Sequence, residues 1–231
     1  MCYSARSSLI SYSIGIISGI FALLTRQWVL AFLIFAFVQM QLAEFLIWKS
    51  IDENNDDLNK KSSSFGKYLL ATHNIAIGIG IIFAILYISK KKLKFTDFIP
   101  LIIGILFFIF IVVYIYLPNN YPDMTLPLDP TCRDKTNRCQ NPDNRLLWPW
   151  PHDWYIYSFI ISLIILLFYI KPLNTKILLS IAFTSTFILT AIIQPKVMGS
   201  IWCNVAAVMC PILVCLNFFI IKNMNSENIL T

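Results

Sequence analysis

The sequence predicts an all-α polytopic membrane protein, a bundle of seven transmembrane helices that makes up a single domain. Of its 231 residues, 58% are hydrophobic and only 13% are charged, whereas soluble domains average about 45–50% apolar and about 25% charged residues. A membrane-spanning helix needs about 20 mostly apolar residues, and the chain holds seven such runs. The runs are continuously apolar and do not alternate as barrel strands do, so we predict helices.

Charged residues mark the ends of the seven spans. The first run ends without a small-residue cleavage pattern, so we interpret it as a mature helix and not as a signal peptide. The fifth and sixth runs are the shortest, at 17 residues each. One long loop, 118–153, separates the fourth span from the fifth, and no soluble domain interrupts the runs. The predicted spans are 7–24, 27–48, 68–88, 98–117, 154–170, 177–193 and 197–221.

The positions of the basic residues predict the orientation. The net charge is +6, and the short connections of one side carry dense cations, above all Lys90, Lys91, Lys92 and Lys94. The positive-inside rule then makes this side cytoplasmic and places the N-terminus outside and the C-terminus inside. The excess charge is therefore a topology signal, and we expect a lipid bilayer and no nucleic acid as the partner.

The long outer loop contains two cysteines, Cys132 and Cys139, with six residues between them. In an oxidising compartment such a pair closes a small disulfide loop. Two free cysteines and half of a zinc knuckle are the alternatives that the spacing leaves open.

Glu44 is the one charged residue inside the predicted spans, since the other 29 of the 30 charged residues fall in loops. Ionisable groups in a bilayer are costly and face a cavity or a partner. Gln41, Glu44 and Trp48 follow one another at intervals of three and four residues, so they share one stripe of the second span. We expect this stripe to face protein or a cavity.

Further polar and aromatic residues are expected at the same outer ends of the helices. Together they predict a polar, aromatic-lined pocket around Glu44. Such a pocket is interpreted as a binding or sensory site for a small amphipathic or lipid ligand, or as a structural polar seam. The predicted pocket residues are Ser4, Arg6, Gln41, Trp48, His73, Asn74, His152, Asp153, Trp202 and Asn204.

The alternative function is that of a membrane-embedded enzyme with a lipid-like substrate. A bound metal ion is one basis for such catalysis. Glu44, His73 and His152 are ligand types of catalytic zinc, with Asp153 or Cys2 as a fourth ligand. No recognised metal motif such as H-E-x-x-H is present. The sequence therefore names candidate metal ligands without identifying a cofactor.

A thiol nucleophile is the other basis for catalysis. If Met1 is removed, Cys2 becomes the N-terminal residue, and its thiol is a candidate nucleophile activated by the α-amine, with Glu44 as the second catalytic candidate. If the pocket has no catalytic role, we expect His73 to form a hydrogen bond between helices and Glu44 to form an ion pair with Arg6. The sequence leaves these alternatives open.

Several other functions of polytopic proteins are excluded. The lysines nearest to the seventh span, Lys196 and Lys222, lie at its ends, so no mid-helix lysine is present for a retinal Schiff base. No span carries the arginine ladder of a voltage sensor. Nucleotide-binding and Ser-His-Asp signatures are also missing.

Small residues at intervals of four predict close contacts between helix backbones. They occur in the first, third and seventh spans. The stripes are Ser11, Gly15 and Gly19; Ala76 and Gly80; and Gly199, Cys203 and Ala207.

Three sequence blocks carry a resemblance to a known family. They read Met-Cys-Tyr-Ser-Ala at 1–5, Gln-Leu-Ala-Glu-Phe-Leu-Ile-Trp at 41–48 and Ser-Ile-Trp-Cys-Asn-Val-Ala-Ala at 200–207. They resemble, in the same order, the Met-Cys-Phe-Ser-Ala, Gln-Gln-x-x-Glu-Gly-x-x-Trp and Ser-Val-Trp-Cys-Phe-Phe-Ala-Ala blocks of a family of small, mostly bacterial multi-pass membrane proteins. Proteins of giant DNA viruses also resemble it.

The resemblance implies a multi-pass fold and, through the viral relatives, a viral or host-cell membrane. The family has no assigned activity, so the resemblance implies important positions and no reaction. Its blocks include Cys2, Ser4, Glu44, Trp48 and Trp202. The chain departs from the family at Phe45, where the family has glycine after the glutamate.

Overall fold

The computed structural model describes residues 4–89, 92–118, 122–127, 146–149, 153–169, 173–193 and 198–222. These residues form an all-α fold with seven α-helices, and two strands of two residues each, β1 (Leu126–Pro127) and β2 (Leu146–Leu147), pair antiparallel in the long loop. The α-helices are α1 (Ala5–Leu24), α2 (Trp28–Asp52), α3 (Asp56–Ala84), α4 (Ile99–Phe110), α5 (Asp153–Tyr169), α6 (Leu173–Ile193) and α7 (Met198–Lys222).

Short non-α turns lengthen two of the helices. A π-helical turn, Ile85–Ser89, continues α3, and another, Ile111–Tyr116, continues α4. A 3₁₀ turn, Phe95–Phe98, precedes α4, and Pro100 follows at the start of that helix, where its missing N–H breaks no helical hydrogen bond.

Four helical segments are long and apolar enough to cross a membrane: Ala5–Leu24, Trp28–Asp52, Asp56–Tyr87 and Phe95–Tyr116. Two shorter apolar segments, Ile156–Tyr169 and Met209–Ile220, lie in α5 and α7. The all-α prediction is confirmed, and helix length and hydropathy indicate an integral, multi-pass membrane protein.

The start of α3 differs from the prediction. In place of the predicted connection 49–67, α2 and α3 are joined by a turn at residues 53–55, and α3 begins at Asp56. Asn55 caps it, because its Oδ1 accepts a hydrogen bond from the Leu58 N–H at 3.0 Å. Asp56 and Asp57 in the first turn complement the helix dipole. The first three turns are polar, so an apolar pattern did not reveal them.

Helices α2 and α3 form the centre of the bundle. Helix α1 packs against α2 and α7, α3 also packs against α4 and α5, and α7 packs against α6 and α2. Buried apolar side chains of α2 and α3 make up much of the core.

Glycines allow the closest helix contacts, as the small-residue stripes predicted for α1 and α3. A β-carbon at Gly80 would lie 2.8 Å from the Val29 Cα, and one at Gly19 would lie 2.7 Å from the Phe35 ring. Outside those stripes, a β-carbon at Gly104 on α4 would lie 2.5 Å from the Asn74 carbonyl oxygen on α3. The side chains of the predicted α7 stripe lie outside the described residues.

Large apolar side chains cover the outside of the bundle. Exposed Ile, Leu and Phe residues line α1, α4, α5 and α6, and Ile17 and Leu106 are 67% and 59% exposed. Soluble proteins do not carry apolar surfaces on this scale. A lipid bilayer is the solvent that suits this surface.

Candidate functional site

The two most deeply buried polar side chains of α2 are Gln41 and Glu44. Together with Trp48 they form the Glu44 stripe. Gln41 and Glu44 have no exposed surface, and Trp48 is 3% exposed. The three residues follow at helical spacing on one face of α2, which therefore points into the bundle. The stripe brings a carboxyl, an amide and an indole together within two turns of one helix.

Trp148 of the long loop lies over the contact between α2 and α3 at this level. A β-carbon at Gly66 of α3 would lie 2.8 Å from the Trp148 ring and 3.4 Å from Ala43 Cβ. Only glycine at position 66 lets the Trp148 ring come this close to α3, and Trp148 is itself buried. A second indole is thus positioned beside Ala43, the residue that precedes Glu44.

Hydrogen bonds tie the same loop to α3. The Asn59 side chain binds both backbone groups of Thr125: Nδ2 donates to its carbonyl oxygen, and Oδ1 accepts from its N–H, each at 3.0 Å. The Thr125 N–H also donates to Ser63 Oγ at 2.9 Å, and the Ser63 hydroxyl donates to Thr125 Oγ1 at 2.9 Å. All three residues are buried, so this segment of the loop is a fixed cap on α3.

His73 bonds to α2 about two turns away from Glu44, although both were expected at one depth. The His73 Nε2–H donates to the Ala36 carbonyl oxygen at 3.2 Å, and the ring packs edge-on against Phe37 and close to Phe159. Ala36 precedes Glu44 by eight residues on α2, about 12 Å along the axis at about 1.5 Å per residue. The early start of α3 explains the difference, because His73 lies 17 residues into this helix.

Asn74 points to another face of α3. Its Nδ2 donates to Ser158 Oγ on α5 at 3.0 Å, and both residues are buried. This bond joins α3 to α5, as expected of an amide between membrane helices. It does not reach the Glu44 stripe.

The remaining predicted pocket residues are only partly within the described part of the chain. Ser4 caps α1, since its Oγ accepts from the Ser7 N–H at 3.3 Å, and both Ser4 and Arg6 are exposed. Within the described residues, Arg6 takes part in neither of the two ion pairs found, Lys49–Glu53 and Lys61–Asp57. Asp153 begins α5, and Trp202 and Asn204 lie in the first two turns of α7; the structure does not describe these three side chains.

The predicted chemistry depends on residues outside the described ranges, namely Cys2, His152, Cys132 and Cys139. Across the described ranges, no group of three His, Cys, Asp or Glu side chains could hold a metal ion. The metal site, the Cys2 nucleophile and the disulfide therefore stay predictions.

The sequence analysis did not predict a second polar cluster, which we call the Gln27 network and define as Gln27, Thr175 and Asn217. Gln27 Nε2 donates to the Val214 carbonyl oxygen at 3.0 Å. Asn217 Nδ2 donates to Gln27 Oε1 at 2.8 Å, and Thr175 Oγ1 donates to Asn217 Oδ1 at 3.1 Å. It joins the turn before α2 to α6 and α7. In the sequence, the signal for this network was an amide, Asn217, within the apolar seventh span.

No family of known proteins, no curated protein and no solved structure matches this chain. The resemblance carried by the three sequence blocks therefore stays a prediction, and the site is argued from its own residues.

Proposed function

We propose that the chain is a seven-span integral membrane protein that binds a small amine-bearing ligand at the Glu44 stripe. The four long segments are joined by α5, α6 and α7, of 17, 21 and 25 residues, lengths that suit spans. The cations after α3 support a cytoplasmic location for that end, and therefore an outer location for the Glu44 end.

The complete burial of Glu44 is the observation that carries the proposal. A carboxyl group inside a membrane bundle is costly and marks a functional site more often than a structural one. A positively charged amine complements a carboxylate, and indole rings attract cations through their faces. Trp48 one turn away and Trp148 beside Ala43 provide such rings near Glu44.

A binding site fits the described residues better than a path across the membrane. Between the levels of Gln27 and His73, the face of α2 carries Leu30, Leu33 and Ile34, all buried and apolar. This layer separates the polar groups of the two ends in the described part of the bundle.

Ligand-induced stabilisation of the purified protein in lipid nanodiscs tests the proposal. Butylamine and ethanolamine serve as short cationic probes, and a ligand at 100 times its Kd stabilises the folded state by about 2.7 kcal/mol. We expect both probes to raise the melting temperature of the wild type and not that of Glu44→Gln. Glu53→Gln, which changes an exposed glutamate, is the matched control and should keep the shift.

Two results would contradict the proposal. In one, neither amine shifts the melting temperature of the wild type. In the other, the Glu44→Gln protein retains the same shift as the Glu53→Gln control.

A further inference from the structure

The Gln27 network holds together two chain segments that each carry a basic residue. Arg26 precedes Gln27 in the turn between α1 and α2, and Lys176 follows Thr175 in the first turn of α6. Asn217 bonds to both Gln27 and Thr175, at 2.8 and 3.1 Å. These two hydrogen bonds bring Arg26 and Lys176, which we call the basic pair, to the same end of the bundle.

No described carboxylate neutralises the basic pair. Arg26 is exposed and Lys176 is partly exposed. In the part of the chain that the structure describes, neither residue forms an ion pair, and the two ion pairs found lie at the opposite end, near the turn at residues 53–55. The described acidic residue at the end that carries the basic pair, Asp97, accepts a hydrogen bond from the Lys94 N–H at 2.8 Å. Within the described residues, the two positive charges therefore have no counter-ion.

Arg26 occupies a backbone position that usually belongs to glycine. The end of α1 is a Schellman motif, in which the Arg26 N–H donates to the Leu23 carbonyl oxygen at 3.0 Å and the Gln27 N–H donates to the Ala22 carbonyl oxygen at 2.8 Å. Arg26 has a φ of 60°, in the left-handed region, where glycine and asparagine are common and most other residues are strained. The turn gains nothing from an arginine, so a function of the side chain is the better explanation for this residue.

The surface of the bundle next to the basic pair is apolar. Helix α7 packs against both α1 and α6, and the Phe21 and Phe218 rings meet between α1 and α7 with their centroids 6.1 Å apart. From the basic pair toward the middle of the bundle, large apolar side chains are exposed on all three helices. They are Ile20 and Leu24 of α1, Ile177 and Ile181 of α6, and Ile212 and Leu216 of α7. Such a surface suits the acyl chains of a bilayer.

A phosphate group at this end of the bundle would complement the basic pair. Arginine binds two phosphate oxygens at once, and lysine acts as a point charge. Helices α2 and α6 both begin at this end, and the first N–H groups of a helix favour an anion. The cation of a zwitterionic headgroup would add a third positive charge, so a headgroup with a net negative charge is favoured.

We propose that an anionic glycerophospholipid binds here, with its phosphate at the basic pair and its acyl chains along α1, α6 and α7. This site lies at the opposite end of α2 from the Glu44 stripe. It stands whether or not an amine binds at Glu44.

Native mass spectrometry of the detergent-solubilised protein tests the proposal, because it resolves each bound lipid. Phosphatidylglycerol is the probe, and phosphatidylcholine with the same acyl chains is the comparison. Arg26→Asn introduces a residue that tolerates the left-handed backbone, and Lys176→Gln introduces a good helix former. We expect the Kd of the first bound phosphatidylglycerol to rise about fivefold in each variant and about 25-fold in the double variant. The Kd of phosphatidylcholine should not change.

The matched control is the double variant Lys60→Gln and Lys61→Gln. It removes two positive charges from exposed positions at the opposite end of the bundle, so the net charge changes by the same amount. Its Kd for phosphatidylglycerol should equal that of the wild type.

Photo-crosslinking of the wild type in phosphatidylcholine nanodiscs provides a second readout, which does not depend on whether a variant folds. A phosphatidylglycerol with a diazirine in its headgroup should label the turn 25–27 and the first turn of α6 more than the turn 53–55. Excess phosphatidylglycerol should suppress this label, and excess phosphatidylcholine should not.

Three results would overturn the proposal. In the first, the wild type binds phosphatidylglycerol no more tightly than phosphatidylcholine, or the headgroup labels both ends of the bundle equally. In the second, the control variant weakens phosphatidylglycerol as much as the double variant of the basic pair does. In the third, glycerol phosphate at equal concentration displaces phosphatidylglycerol, which would assign the site to a soluble phosphate and not to a lipid.

Discussion

Two buried polar clusters occupy opposite ends of this bundle, and they are built differently. The Gln27 network consists of neutral amides and a hydroxyl that bond to one another and to the Val214 carbonyl oxygen, across α6, α7 and the turn before α2. The Glu44 stripe lies on one helix and contains a carboxyl group. Neutral groups that bond to one another hold helices together, whereas we attribute a buried carboxyl group in a membrane bundle to a ligand that it binds.

The largest loss of stability is expected from breaking the Gln27 network. Asn217→Leu removes the partner of both Gln27 Oε1 and the Thr175 hydroxyl, and it leaves these buried groups without that partner. We expect a loss of about 2 kcal/mol in the free energy of unfolding, measured by denaturant titration in mixed micelles.

Asn174→Leu is the matched control for this prediction, because Asn174 is exposed on α6. Equal unfolding free energies for the two variants would show that the network does not hold the helices together.

A smaller effect is expected at the cap that segment 122–127 forms on α3. Asn59→Leu removes both hydrogen bonds to the Thr125 backbone, so segment 122–127 should open more readily from α3. We expect the free energy of unfolding to fall by about 1 kcal/mol. The Thr125 N–H should also exchange faster, which hydrogen exchange of the peptide that contains it measures.

Lys60→Leu changes the adjacent exposed residue and should leave the exchange of segment 122–127 as in the wild type. If Asn59→Leu exchanges no faster than this control, the cap is held by other contacts.

The same two clusters show what a single sequence could predict. Glu44 was found because one charge stands out in an apolar run, and the helix order followed from hydropathy. The Gln27 network was missed because its hydrogen bond joins residues 190 positions apart, and no local pattern reports such a contact. The sequence placed His73 at the depth of Glu44, whereas its hydrogen bond reaches Ala36, about two turns from Glu44 on α2. The reason is that α3 begins in a polar segment, where the cap at Asn55 signals a helix.

The most direct test of the account measures the stability of two variants with and without butylamine. Replacing Glu44 with glutamine preserves shape, so we expect an unfolding free energy within about 1 kcal/mol of the wild type and no stabilisation by the amine. Asn217→Leu should show the reverse: a less stable protein that the amine still stabilises. The account is contradicted if Glu44→Gln destabilises the protein as much as Asn217→Leu while its response to butylamine is unchanged.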